Sequence, residues 1–297
     1  MASQMLYLNS VESEYNETEK YYRFTLPRPI TTDNKSMSLR LVEAEIPVSY
    51  FNIITDYNNK FSFLVQAENS LGQVGSKVYN IEIPQKNYSV QEMLTTLNLL
   101  IVAEGASFNS LTTTMSFNSQ TLRFNINVVS SSSSVVVKSI AIMVANSVRE
   151  ITAMKVLGFI PGSDPGDTVF PDATTGVLEF SNSINMNRTK NIYIMTDKLG
   201  LDTRTNTNNN KLSIISKMQA FTPFGSIVSY QSENDDYITI NPNINYIDHL
   251  NIYLIDDEGK DLYLNGVNFC ISLLFQEGSI SNSSIRQGAP ILTQLSY

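Results

Sequence analysis

From Val267 to Phe275 every second residue is large and apolar: Val267, Phe269, Ile271, Leu273 and Phe275 share one side, opposed by Asn268, Cys270, Ser272 and Gln276. Successive side chains of a strand point to opposite faces, so this stretch fits a strand with one buried face and does not fit a helix. Such a strand needs partners of its own kind, and the chain supplies them. "YYRFTL" (21–26) alternates before Pro27 and Pro29, which are expected to stop it. "MSLRLVEAEI" (37–46) also alternates, but its apolar face switches partway. Leu39 and Leu41 share one side and Val42, Ala44 and Ile46 the other, as a β-bulge or a crossing between two sheets would produce. Further strands are expected at 61–66, 78–83, 121–129, 135–144, 191–196, 226–230, 237–240 and from 246 onward.

Two stretches carry the helical period instead. "YSVQEMLTTLNLLIVAEG" (88–105) opens with Ser89 and Glu92 at capping-box spacing and with Tyr88 and Met93 placed as a hydrophobic staple. Val90, Met93, Leu94, Leu97, Leu100 and Ile101 then line one face, and Gly105 closes the helix. "SVREITAMKVLG" (147–158) repeats the device with Ser147, Glu150 and Gly158. Both stripes read as helices covering a sheet. Loop compositions fall at 130–134, 161–176 and 201–211. The expected fold class is all-β: a sandwich of two antiparallel sheets with an additional β-rich insertion and two short helices.

Charge and composition narrow the function classes. Among 297 residues there are 20 Lys and Arg against 28 Asp and Glu, a net charge of −8, with no basic block. Binding phosphate backbones needs clustered cations, so direct nucleic-acid binding is not expected. A single cysteine, Cys270, excludes an intrachain disulfide and a thiolate zinc site. "MASQMLYLNS" holds too short an apolar run for a signal peptide, and no span reaches membrane length. A soluble protein made inside a cell is expected, with Asn16-Glu17-Thr18 and Asn187-Arg188-Thr189 as chance sequons.

Catalytic constellations are not evident. The sole histidine, His249, follows Asp248, but neighbours on a strand point apart and are not expected to pair as base and orienter. There is no GxSxG, HExxH, Walker loop or GxGxxG, so no enzyme, cofactor or metal site is assigned. The acid-rich "IDDEGKDLYLNG" (255–266) reads as a hairpin tip. Leu250, Ile252 and Leu254 alternate before it and Leu262 and Leu264 after it, with Gly259 and Gly266 at the bends. Its acids, Asp256, Asp257, Glu258 and Asp261, are expected to stay solvated, and EF-hand spacing is absent.

That closing segment, "NIYLIDDEGKDLYLNGVNFCISLLFQE", resembles the C-terminal signature of penton (vertex) capsid proteins of virophages and polinton-type viruses, most like the mavirus-like virophage members. Asp256, Gly259, Leu262, Leu264, Gly266 and Phe269 stand at the matching positions. "LRLVEAEIPVSYFNI" (39–53), "IPQKNYSVQEMLTTLN" (83–98) and "VLGF" (156–159) are similar to three further elements of that family, in the same order. The chain departs from the family where Phe269 replaces a frequent tryptophan.

The resemblance implies a single jelly roll, two four-stranded sheets face to face. Its core would be residues 21–102 and 185–280, with 103–184 as insertion or second β-rich module, 1–20 as N-terminal arm and 281–297 as C-terminal arm. Met5-Leu6-Tyr7-Leu8 and Ile291-Leu292 would be apolar clusters on those arms. It further implies a viral structural protein: a homopentamer at the vertices of an icosahedral double-stranded DNA virus capsid, bordered by double-jelly-roll major capsid protein trimers. Localisation would be the virion, with assembly in the cytoplasm of the infected cell and outer loops available to a host surface receptor. The alternative is a jelly-roll lectin or receptor-binding module recognising host glycans, through Asn- and Tyr-rich loops. A carbohydrate-active enzyme ranks third.

Overall fold

The computed structural model describes residues 3–31, 36–105, 107–108, 110–143, 153–158, 168–186, 189–200, 212–232 and 237–278. Two compact units emerge: a flanking unit, Met1–Ser49 with Thr189–Tyr297, and an inserted unit, Tyr50–Arg188. The expected boundaries at 102, 103 and 184 differ from this division. Residues 50–102 were expected with the core, yet their strands and helix build the sheets and core of the inserted unit.

The flanking unit begins with β1 (Ser3–Asn9), β2 (Glu14–Asn16), β3 (Tyr21–Thr31) and β4 (Ser36–Pro47). The inserted unit follows with β5 (Lys60–Glu68), β6 (Val74–Glu82), α1 (Val90–Ala103), β7 (Ser107–Phe108), β8 (Leu111–Asn118), β9 (Arg123–Ser130), β10 (Val136–Ile142), α2 (Met154–Leu157), β11 (Thr168–Val169) and β12 (Thr175–Glu179). The chain then returns through β13 (Asn191–Thr196), β14 (Ser213–Gln219), β15 (Ile227–Gln231), β16 (Ile238–Thr239), β17 (Tyr246–Ile255) and β18 (Cys270–Gly278).

Two sheets form the flanking unit, ordered β1-β18-β4-β15, with β16 also on β4, and β14-β13-β17-β3-β2. All their pairings are antiparallel. The inserted unit has β11-β10-β5-β6 and β12-β9-β8-β7. No helix among the described residues is long and apolar enough to cross a membrane.

The face switch in β4 is a bulge. Ser272 lies opposite Glu43 and Leu273 opposite Leu41, leaving Val42 as the extra residue. Met37, Leu39 and Leu41 are buried before it and Ala44 and Ile46 after it. β3 runs through Pro27 and Pro29, contrary to expectation. Its ladder with β17 breaks there: Thr25 pairs with His249 and Ile30 with Ile247, so the prolines sit where no ladder hydrogen bond is required of them.

The N-terminal segment is not a free arm. β1 pairs along its length with β18, from Ser3 opposite Gln276 to Asn9 opposite Cys270, and Leu8 is buried. The whole of the expected C-terminal arm, 281–297, with Ile291 and Leu292, lies outside the described residues.

Helix α1 forms with the expected cap. Glu92 N–H donates to Ser89 Oγ at 3.3 Å, and Ser89 N–H donates to Glu92 Oε2 at 2.9 Å. Met93, Leu97 and Ile101 are buried, with Val90, Leu94 and Leu100 packed against the same core. Asn98 ties the helix to β8, donating from Nδ2 to Met115 C=O at 3.0 Å and accepting Met115 N–H at 2.8 Å. The second helix is a single turn, Met154–Leu157, and residues 147–152 of its expected span lie outside the described residues. The same holds for 161–167 and 201–211 of the expected loops.

Candidate functional site: the acidic turn and the aromatic ladder

The acid-rich stretch is a tight turn whose carboxylates serve the backbone. Asp256 N–H donates to Lys260 C=O at 2.8 Å, Gly259 N–H to Asp256 C=O at 3.1 Å, and Gly259 has φ 78°. Asp256 is 4% exposed, and its Oδ1 accepts Glu258 N–H at 2.8 Å and Lys260 N–H at 2.9 Å, an Asx-type turn. The expected solvation of all four acids therefore fails at Asp256, because capping two turn amides draws its carboxylate inward. Glu258 and Asp261 are exposed as expected.

Asp257 reaches across to the start of β13. Its Oδ2 accepts Lys190 N–H and Asn191 N–H, each at 2.8 Å, and its Oδ1 accepts the Asn191 side-chain amide. Partial burial alone would raise this carboxyl. The Asn191 and Lys190 hydrogen bonds outweigh it and hold Asp257 below the usual carboxylate range. Asp261 is exposed by area, yet desolvation by its surroundings, then the charge of Asp256, raise its carboxyl. Among the described residues, no three His, Cys, Asp or Glu gather as metal ligands.

Past Asp261 the expected short strand at Leu262–Asn265 is absent. One bridge, Ile255 to Asp261, is followed by a turn in which Val267 N–H donates to Leu264 C=O at 3.0 Å. Asn265 and Gly266 both have positive φ, 53° and 77°, which ends any extended run. Leu262 and Leu264 are still buried, so their alternation reports burial without a ladder.

His249 and Asp248 do pair: Nδ1 lies 2.6 Å from Oδ1, contrary to the alternation argument. The break between Ile247 and His249 in the β17–β3 register disturbs the strict up-down order. The His249 contact is the leading cause of a lowered Asp248 carboxyl. Asp248 is 56% exposed.

Behind the acidic turn, aromatic rings form a ladder. Exposed Tyr263 lies 6.2 Å from Tyr15, which lies 4.8 Å from Tyr22. Tyr22 meets Phe269 edge-on at 4.8 Å, and Phe269 meets Phe24 at 6.2 Å. Burial pushes the Tyr22 hydroxyl up to about 12. Rings on β3, in one sheet of the flanking unit, thus meet the residue just before β18, in the other. Ser10 fixes Phe269 from the N-terminal side: Ser10 N–H donates to Phe269 C=O at 2.9 Å, and Phe269 N–H donates to Ser10 Oγ at 2.8 Å. Tyr15 and Ser10 had no sequence signal beyond residue type, and the expected strand at 21–26 held Tyr22 without showing that it meets Phe269, since only the pairing of distant strands brings Phe269 here.

The segments quoted for the family resemblance interlock within each unit. Ser49 Oγ donates to Leu264 C=O at 2.6 Å, and the Asn265 side chain donates to Ser49 C=O. Asn52 Nδ2 donates to Tyr88 C=O at 2.9 Å, and Tyr88 N–H returns to Asn52 Oδ1 at 2.9 Å. Gly158, at φ 104°, accepts Asn182 N–H at 2.9 Å, and a Cβ there would lie 2.3 Å from Asn182 C=O.

No family model and no curated protein matches the chain. Solved structures similar to it include the crystal structure of the mavirus penton protein, with TM-score 0.47 and 13% identity over 92% of this chain and 100% of that one. Another is the 3.5 Å cryo-EM structure of the Sputnik virophage, with TM-score 0.40 and 13% identity over 92% of this chain and 98% of the other.

Proposed function

We propose that this chain is a capsid structural protein, the pentameric vertex protein of an icosahedral double-stranded DNA virus. The flanking unit is its single jelly roll, and its natural neighbours are copies of itself and trimers of a major capsid protein. It acts in the virion, after assembly in the host cytoplasm, and has no catalytic role. The observation that supports this reading best is the interlocking of the quoted segments: Ser49 with Leu264 and Asn265, and Asn52 with Tyr88. Residues of three of the segments that carry the resemblance thus bond one another. The acids of the turn fit the same reading, because Asp256 and Asp257 are engaged with backbone amides.

Sizing by light scattering tests it. Pentamers are expected, either alone or on mixing with the major capsid protein. A chain that stays monomeric in both conditions and binds a glycan tightly would favour the lectin alternative.

A further inference from the structure

Sheet edges present unpaired N–H and C=O groups, and natural proteins blunt them with charge, proline, bulges or short length. Most edges here follow that rule. β14 carries Lys217, β6 carries Lys77 and Glu82, β12 carries Glu179, and β2 has three residues including Glu14. β7 and β11 have two residues each. Two edges break it, and they bound the same sheet.

β1 (SQMLYLN) and β15 (IVSYQ) contain no charge and no proline. Each pairs one-to-one with its inner neighbour, without a bulge, and with no other strand among the described residues. Both edges also carry exposed apolar side chains: Tyr7 is 76% and Met5 38% exposed on β1, and Ile227 is 55% exposed on β15.

Ladder alternation says which groups point outward. Ser10 N–H donates to Phe269 C=O, so the N–H and C=O groups of Met5 and Tyr7 face the free edge, while Asn9 already caps the 3-10 turn Ser10–Glu12. Val48 N–H donates to Ser226 C=O, so those of Ile227, Ser229 and Gln231 face the other free edge. Direction agrees too. β1 and β4 run one way, β18 and β15 the other. A second copy in the same orientation would set its β15 antiparallel to β1 and continue the alternation across the junction. Leu6 and Leu8 would then share a face with Val228 and Tyr230, while Met5 and Tyr7 join Ile227 and Ser229 on the other. Two copies at net charge −8 repel at distance, and uncharged edges are where backbones can meet.

Resting on the vertex reading, we propose that copies join head to tail through this sheet, β1 of one copy pairing with β15 of the next. A foreign strand would satisfy one edge and leave the other bare, whereas a second copy satisfies both. Such a contact repeats until it closes into a ring.

The test uses full-length chain with exposed Cys270 replaced by serine. Tyr7→Cys and Ile227→Cys variants are prepared separately, mixed, and treated with a short bifunctional maleimide that tolerates either neighbouring register. Both positions are exposed, so folding is preserved. Cross-linked dimers are expected in the mixture and not in either variant alone. Dimers of Tyr7→Cys alone would mean β1–β1 pairing and overturn the proposal. Pentamers by light scattering without a cross-link would overturn it and leave the vertex reading standing. Cross-linked filaments that never close would support edge pairing and overturn the vertex reading. A strict monomer without a cross-link would overturn the edge pairing, and labelling of particles would then decide the vertex reading separately.

Discussion

The flanking unit pairs residues from the two ends of the sequence, whereas the inserted unit pairs mostly neighbours. In the first, Ser3 lies opposite Gln276, Ser36 opposite Gly278 and Tyr22 opposite Ile252. In the second, β5 turns directly into β6 at Glu68 and Val74, and β8 into β9 at Asn118 and Arg123. Long loops must close before distant pairs reward the chain, so the inserted unit should form first and the flanking unit later. Local pairing also lets a helix lie between hairpins in sequence and tie into them, as Asn98 does to Met115. Distant pairing instead puts the load on a few residues where the ends meet, above all Phe269 and Ser10.

The largest way to break that contrast is Phe269→Ala. The ring is 1% exposed between Tyr22 and Phe24, so its loss should cost about 3–5 kcal/mol in the flanking unit. Urea unfolding followed by a probe in each unit should show the flanking unit failing first. Equal losses in both would mean the units are not energetically separate.

Asn52→Ala is the counterpart in the inserted unit. Asn52 is buried and satisfies Tyr88 N–H and C=O, so leaving them unpaired should cost about 1–3 kcal/mol. Asp257→Ala should cost a similar amount, about 1–3 kcal/mol, in the flanking unit by freeing the amides of Lys190 and Asn191. Its lowered carboxyl gives that contribution a sign: present above the ordinary aspartate range, and lost as pH falls through the folded value. Loss of the wild-type margin on raising pH would contradict the assignment.

Smaller effects sharpen the inserted unit. Ser89→Ala should cost about 1 kcal/mol through the lost cap, read as a lower urea midpoint of that unit alone. Glu92 bonds Lys86 Nζ at 2.7 Å as well as Ser89, which holds its carboxyl down at about 2 against an ordinary 4.5. Its contribution is therefore complete above pH 4.5 and fades toward pH 2, a slope that Glu92→Gln should flatten.

Legibility followed the same division. The capping box at Ser89 and Glu92, the stripe of α1 and the face switch in β4 are local patterns of spacing and parity, and the structure has them where the sequence put them; that the switch is a bulge and not a crossing between sheets is set by the pairing with β18. β1 was hidden because Met5-Leu6-Tyr7-Leu8 shows no alternation, and only β18 makes it a strand. The His249–Asp248 pair and the passage of β3 through Pro27 and Pro29 share one cause, a register break that depends on two distant strands. The chain passes from one unit to the other at Ser49 and Thr189 with no shift in composition to mark it. In the acidic turn, glycine and the acids identified the bend. Which acid turned inward depended on backbone amides that no residue pattern reveals.

Particles reconstructed with antibody fragments bound to this chain measure the vertex assignment directly. Extra density confined to the fivefold vertices is the expected result, and its absence there, or label spread over the faces of the shell, would contradict it.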